Sequence, residues 1–302
     1  MSIIINCFNG EEYLREALES VISQTYKNWE IIFWDNQSTD TSAKIFKSYQ
    51  DNRLKYYLAS SHTKILYEAR NYALKKTTGD FIAFLDADDY WLPDKLEKQM
   101  PLFNDPKVGL VYGNLWYLLK KKKRKILRKK TLPTGMILNE LLSDYVIRSA
   151  TIIIRKKSLE SLEYYFNDHF HIIGDFDLSI RLSAKWKLNC VQSPIAFVRI
   201  HGKNESLLNN NMEVNEMKNW YNEMKKNPTF SSLNSLNQIK KNFLYLEAME
   251  TILNEGFRKS LFKVVQYPLC FYKLKLIIAL LLPKFAIKKI KKFLKKKLYQ
   301  QA

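Results

Sequence analysis

FIAFLDADDYW, residues 81–91, runs from five apolar side chains into three carboxylates, Asp86, Asp88 and Asp89, and closes on Tyr90 and Trp91. A short apolar run bounded by turn-forming residues reads as a buried strand. Three like charges crowded at its end repel one another unless something offsets them. Asp residues start turns and cap helices, which gives one account of the cluster, and Asp89 is the member expected to cap the helix after Pro93. The other account is a site for Mg²⁺ or Mn²⁺. Such hard ions take oxygen ligands and bind through one or two carboxylates plus substrate phosphates.

Upstream, short apolar runs alternate with helical patterns. Residues 2–5, 30–34, 55–58 and 80–85 read as strands, and 12–24, 41–49 and 65–75 as helices, the last ending near a turn at 77–79. Strand–helix–strand order predicts an α/β fold, a mostly parallel sheet flanked by helices. Such sheets bind ligands at the carboxyl ends of their strands. Segments 6–9, 35–40 and 86–89 each follow a strand, so they are expected to converge on one crevice. Downstream the pattern changes. Residues 110–119, a basic turn, Gly135 and 149–154 suggest a hairpin flanking a short helix. A helix from 176 to about 186 follows, then strands near 189–191 and 196–200, and residues 212–254 read as helical with a break at Asn227-Pro228.

With 302 residues the chain can bury a full core, and 46% apolar residues with 14% aromatics are a globular composition. Cys7, Cys190 and Cys270 are scattered, which argues for a reducing compartment and against a disulfide framework or structural zinc. The start, MSIIINCFNG, shows no secretory signal pattern. The net charge of +19 is local. Residues 256–302 hold 13 Lys/Arg and 120–130 hold 9, neither with an acid; setting these aside from the 49 leaves 27 basic against 30 acidic residues. A body with no basic surplus is a poor nucleic-acid binder, so no nucleic-acid partner is expected. Residues 269–282 are apolar but fall short of the ~20 needed to cross a bilayer. Residues 284–298 place Phe285, Ile287, Ile290, Phe293 or Leu294, and Leu298 at helical spacing among lysines. That pattern suits a helix lying in an anionic membrane interface, or else a partner-binding or solvated helix.

Among the chemical candidates, Asp35 in FWDNQSTD is either a turn or cap residue or a ligand. Asp175 and Asp177 in GDFDLSIRL open a helix, where acids suit the dipole; alternatively Asp175 is a general base facing the crevice. His201 in RIHGKNES is structural or a metal ligand.

These segments, with SIIINCFNGEEYLREALESVISQTYKNWEIIFWDNQSTD and EARNYALKKTTGDFIAFLDADDYWLPDKLEKQ, resemble family 2 glycosyltransferases in order and spacing over residues 2 to about 207. The resemblance implies a GT-A (Rossmann-like) fold, a nucleoside diphosphate sugar donor, most simply a UDP-sugar, inversion, and Mn²⁺ or Mg²⁺. By position it implies that Asn6 and Phe8 line the nucleotide pocket and that Asp35 receives the base. Arg70 would contact the diphosphate or organise the site, Asp86 the ribose, and Asp88 of the DxD motif the metal, with His201 close to metal or diphosphate. It implies Asp175 as catalytic base, and Trp91 with Asp177 near acceptor or transferred sugar. The chain departs from the pattern at Asn36, where a second Asp is common, at Gln37, where Gly is common, at Gly174, where Glu usually precedes the base, and at His62-Thr63-Lys64, where many members carry a Gly-containing loop.

The expected organisation is therefore a catalytic domain over 1–207, with a nucleotide half to about 107 and an acceptor half beyond it. A helical extension over 208–255 and a basic amphipathic, membrane-associating helical tail over 256–302 follow. The expected function is sugar transfer to a hydroxyl of a lipid-linked, lipopolysaccharide or capsule glycan, by a peripheral protein at the cytoplasmic face of a bacterial plasma membrane. An inactive membrane-bound scaffold and a metal-dependent nucleotidyltransferase are the alternatives. The second usually carries a Gly-rich basic loop early in the chain, and none is present.

Overall fold

The computed structural model describes residues 1–119, 124–127, 131–202, 204 and 210–287. Two compact units result, Met1–Asn204 and Glu205–Ala302.

In the first unit β1 (Ser2–Cys7), β2 (Glu30–Asp35), β3 (Leu54–Leu58) and β4 (Phe81–Phe84) run parallel in the order β3-β2-β1-β4. β1 is apolar on both faces, as a strand covered by helices on both sides must be. α1 (Leu14–Ile22) buries Leu14, Ala17, Leu18 and Val21 at helical spacing, and α2 (Ser42–Lys47) and α3 (Leu66–Leu74) complete the crossovers. Register pairs Cys7 with Asp35 and Asp35 with Leu58. The strands therefore end level, and the loops after them lie along one edge. Asn9 (φ 53°) and Gln37 (φ 67°) make two of these loop turns in the left-handed region.

Beyond β4 the sheet becomes mixed. β5 (Tyr90–Trp91), α4 (Lys95–Gln99), β6 (Val108–Leu119), β7 (Arg124–Leu127), α5 (Leu138–Ser143), β8 (Ile153–Arg155), α6 (Lys156–Glu160), α7 (Gly174–Ser183) and β9 (Lys187–Ile200) follow in the chain. The sheet continues β4-β8-β6-β9-β5, with β7 forming a hairpin on β6. The two strands expected near 189–191 and 196–200 are one. β9 pairs with β6 along its whole length, with irregular register around Gln192-Ser193-Pro194, where proline cannot donate to the ladder. Residues 149–154, expected as strand, begin as a 3-10 turn (Ser149–Thr151) before β8.

At the opposite end of β2, Glu30 accepts from Lys55 Nζ at 2.5 Å, Ser2 Oγ at 2.6 Å and Thr78 Oγ1 at 2.7 Å. Burial opposes its charge, but these donors more than offset that and hold the carboxyl at about 2. A depressed acid stabilises the fold above its unfolded pKa of about 4.3, and that stability is lost as pH falls through the folded value. Glu30→Gln is expected to cost about 1–2 kcal/mol at pH 7, reduced by the solvent exposure of Lys55. In denaturant titrations the gap to wild type should close between about pH 4.5 and pH 2.

The second unit contains α8 (Asn210–Met224), α9 (Pro228–Ser231), α10 (Leu236–Asn254), α11 (Phe257–Gln266) and α12 (Phe271–Leu281). Asn227 caps α9 by accepting from the Thr229 N–H at 3.0 Å. Ala248 and Ile252 of α10 share one apolar cluster with Val264 of α11 and Leu276 of α12. α10, α11 and α12 thus share one core. α11 lies within the expected helical tail, in a stretch where no individual helix was read. Of the expected helix at 284–298, residues 288–298 lie outside the described residues. Among the described residues no helix is long and apolar enough to cross a membrane.

Candidate active site

The loop after β4 places its carboxylates in three environments. Asp86 accepts from Arg70 Nη2 at 2.6 Å and from Ser149 Oγ at 3.2 Å. Arg70 is itself buried, its guanidinium 5.3–5.8 Å from the Phe84, Tyr67 and Phe166 rings. Arg70 thus ties α3 to the loop after β4 through Asp86. Asp88 lies 2.9 Å from His201 Nε2, and Tyr13 stacks on the His201 ring at 5.6 Å. Burial, then the neighbouring Asp86 charge, raises the Asp88 carboxyl above its ordinary range, with His201 pulling the other way.

Asp89 does not cap the helix after Pro93. It is buried and accepts from the Arg199 N–H at 2.9 Å, while Arg199 Nη1 donates to the Asp88 carbonyl at 2.6 Å and Nη2 to Glu16. Asp94 precedes α4 instead. Burial and the Asp88 and Asp86 charges push Asp89 well above the usual carboxylate range. The repulsion inferred from sequence is therefore present in the fold.

The expected nucleotide side is built from β1, β2 and the 59–65 loop. Asn6, on β1 opposite Trp34, has a buried carboxamide with no hydrogen-bond partner among the described residues. An orphaned buried donor and acceptor are costly unless met, which fits a ligand-facing position. Phe8 is 51% exposed, with its ring 4.3 Å from that of His62. Asn36 fixes this pair: its Oδ1 accepts from the Thr63 N–H at 3.0 Å, its Nδ2 donates to Thr63 O at 2.7 Å, and its carbonyl lies 3.0 Å from His62 Nδ1. An Asp could supply only the acceptor half of that arrangement. Gln37 holds its left-handed turn by donating to Ala59 O. Asp35 makes the contacts of a turn residue, the first of its two alternatives. It is 1% exposed, and its two oxygens accept from the Ser38 N–H (2.8 Å) and the Tyr56 hydroxyl (2.6 Å), so here it anchors the turn and neighbouring strand.

Asp175 sits in the first turn of α7. Its Oδ1 accepts from the Phe176 N–H at 2.8 Å, with the Tyr67 hydroxyl at 3.4 Å, and the Tyr145 hydroxyl donates to its carbonyl at 3.2 Å. Burial raises its carboxyl above the ordinary range, while the Arg148 and Arg70 charges act against the rise. Gly174 leaves the space that Tyr67 fills, since a Cβ there would lie 2.5 Å from the Tyr67 ring. Restoring a side chain with Gly174→Glu is expected to overpack this contact and cost about 1–3 kcal/mol in thermal denaturation.

Two expected site residues turn into the core. Trp91 is 2% exposed, donates from its indole to Ala150 O at 2.7 Å, and carries Lys95 Nζ 4.0 Å from its ring. It supports the Ser149 turn from behind, because strand pairing with β9 turns it into the core. Asp177 is fully buried and paired with Arg181 at 2.7 Å, which in turn holds the carbonyls of Tyr164 and Tyr165. Sequence reading missed Ser149, Tyr67, Tyr145 and Arg148. The last is exposed beside Asp175, and its Nε lies 3.4 Å from the Tyr117 hydroxyl. Neighbouring charge and aromatic character carry no signal for them; only the Arg148-Ser149 pair before an apolar run hints at a loop.

One edge of a curled mixed sheet thus gathers a carboxylate–imidazole pair, an exposed aromatic pair and a raised carboxyl, and the GT-A fold carries them. Residues 2–163 match the family description Glycosyl transferase family 2, and the chain belongs to that family. Among relatives, it is 32% identical over 166 residues to the Escherichia coli UDP-Glc:alpha-D-GlcNAc-diphosphoundecaprenol beta-1,3-glucosyltransferase WfgD, covering 55% of this chain and 64% of that one. It is 28% identical over 210 residues to the Erwinia amylovora amylovoran biosynthesis glycosyltransferase AmsB, covering 65% and 68%. The chain spans about half the length of several curated relatives, for instance 46% of the Escherichia coli beta-1,3-glucosyltransferase WfaP. In fold it resembles S. aureus TarS 1-349 in complex with UDP-GlcNAc (TM-score 0.66, 18% identity, 88% of this chain and 81% of that one). It also resembles the mannosyltransferase PcManGT from Pyrobaculum calidifontis in complex with GDP-Man and Mn²⁺ (TM-score 0.64, 14% identity, 100% and 87%).

Proposed function

We propose that this chain moves a sugar, with inversion, from a nucleoside diphosphate sugar (a UDP-sugar first) to a hydroxyl of a lipid-linked glycan at the cytoplasmic face of a bacterial plasma membrane. The observation that carries the proposal is the placement of Asp175: its carboxylate lies 3.4 Å from the Tyr67 hydroxyl, and Arg70, one turn further along the same helix, holds Asp86 of the DxD loop at 2.6 Å. A base works best when its pKa lies near the operating pH. Asp175 takes the proton from the acceptor hydroxyl, and the Tyr67 hydroxyl and Phe176 N–H hold the carboxylate in place. Arg148, exposed beside it, suits an anionic acceptor such as a lipid diphosphate sugar, a type of acceptor printed in the name of WfgD. Phe8 and His62 offer aromatic surface to the base of the nucleotide, and Asn6 an amide.

The donor set at the DxD loop, one carboxylate and one imidazole close together, fits Mn²⁺ better than Mg²⁺. Asp88 and His201 would hold the ion, and it would supply positive charge against the departing diphosphate. The proposal is tested by release of nucleoside diphosphate from a panel of nucleotide sugars with and without Mn²⁺. Release from one donor, raised by Mn²⁺ and by acceptor, is the expected result. Release of sugar 1-phosphate in its place would favour nucleotidyl transfer, and no release at all an inactive scaffold.

A further inference from the structure

In the second unit, α11 and α12 are apolar on two faces. Their inward face is already satisfied: Val264, Leu276 and Ala279 are buried against α10. Their outward face is where a helix of a water-facing surface carries charge. Here it carries Phe262, Val265, Phe271 and Leu281, while the connecting Leu269 is 94% exposed and Phe285, beyond Pro283, 74%. Single exposed apolar residues are ordinary, but several on two consecutive helices mark a surface that meets something else.

The charge on the same segment identifies the occupant. Residues 256–287 contain Arg258, Lys259, Lys263, Lys273, Lys275 and Lys284 and no acid. Lys259 and Lys263 are paired with Glu255 and Glu247. Lys273 and Lys284 instead donate to the carbonyls of Val265 and Glu255, and Lys275 lies 4.9 Å and 5.0 Å from the Phe271 and Tyr272 ring centres. Exposed apolar side chains flanked by lysines fit the boundary between acyl chains and anionic headgroups. A second copy of the chain fits poorly, because a two-fold contact would set this basic face against itself. With 10 and 11 residues, neither helix can span, so the contact is interfacial.

We propose that the outer face of α11 and α12 is a docking surface for an anionic phospholipid bilayer, with Phe262, Phe271 and Leu281 entering the interface. Its purpose rests on the lipid-linked-acceptor reading, but its test needs no sugar transfer. The full chain is floated with phosphatidylcholine vesicles and with vesicles that also contain phosphatidylglycerol. Expected is binding to the second kind only, weakened by salt. The variant carrying Phe262→Ser, Phe271→Ser and Leu281→Ser should bind at least about tenfold more weakly, with an unchanged circular dichroism spectrum. The variant carrying Arg258→Glu and Lys275→Glu, which keeps every apolar group, should lose a comparable factor on anionic vesicles. Wild-type-like binding by either variant would overturn the proposal, as would absence of vesicle binding by the wild type. A wild-type dimer in solution that the serine variant dissociates, without vesicle binding, would assign the face to a second copy. Vesicle binding combined with no donor turnover would leave this surface standing and remove the transferase reading.

Discussion

Asp175→Asn is expected to lower kcat for sugar transfer by about 10²–10⁴-fold, with donor binding retained. The size follows from the role. A positioned base contributes on that scale, and an amide of the same shape accepts from Tyr67 and the Phe176 N–H but takes no proton. The pH profile separates this from a structural effect. Burial raises the Asp175 carboxyl, and the deprotonated form is the active one. Activity should therefore rise with pH through the raised pKa and fall below it, so the acidic limb lies above the ordinary carboxylate value of about 3.9. Asp175→Asn should abolish that limb. Arg148 pulls in the opposite direction, so Arg148→Gln should move the limb to higher pH.

Asp88→Ala is expected to reduce nucleoside diphosphate release by about 10²–10³-fold and to weaken Mn²⁺ binding measured by titration. Its effect on stability has the opposite sign. Asp88 raises the carboxyl of Asp89, so removing it relieves repulsion within the cluster. The variant should melt no lower than wild type. Loss of release combined with an equal or higher Tm is a pattern that a purely structural Asp88 would not give. His201→Ala should show a milder form, because Asp88 remains.

The parallel part of the sheet was legible because its signals are periodic. Residues 2–5, 30–34, 55–58 and 80–85 differ from β1 to β4 only at their ends, and level strand ends followed from strand–helix–strand order. The mixed part of the sheet was less so. A bulge at Gln192-Ser193-Pro194 looks like a strand end in sequence, and Ser149 and Arg148 reach the site only because β8 lies beside β4. Motif spacing located the DxD loop but not the direction of each side chain. Within it Asp86 and Asp88 stay half-exposed, whereas Asp89 and Trp91 turn inward to Arg199 and Ala150. Asp177 likewise shares a helical turn with Asp175 yet faces Arg181. Gly174 and Asn36, departures from the family pattern, became intelligible only once Tyr67 and the 62–64 stretch were seen against them.

The most direct measurement is the anomeric configuration of the product, read by NMR after incubation with the turned-over α-linked nucleotide sugar, a sugar-diphosphate lipid acceptor and Mn²⁺. A β-linked product that forms with wild type and not with Asp175→Asn is predicted. An α-linked product, or a β-linked one formed at the wild-type rate by Asp175→Asn, would contradict a single displacement with Asp175 as its base.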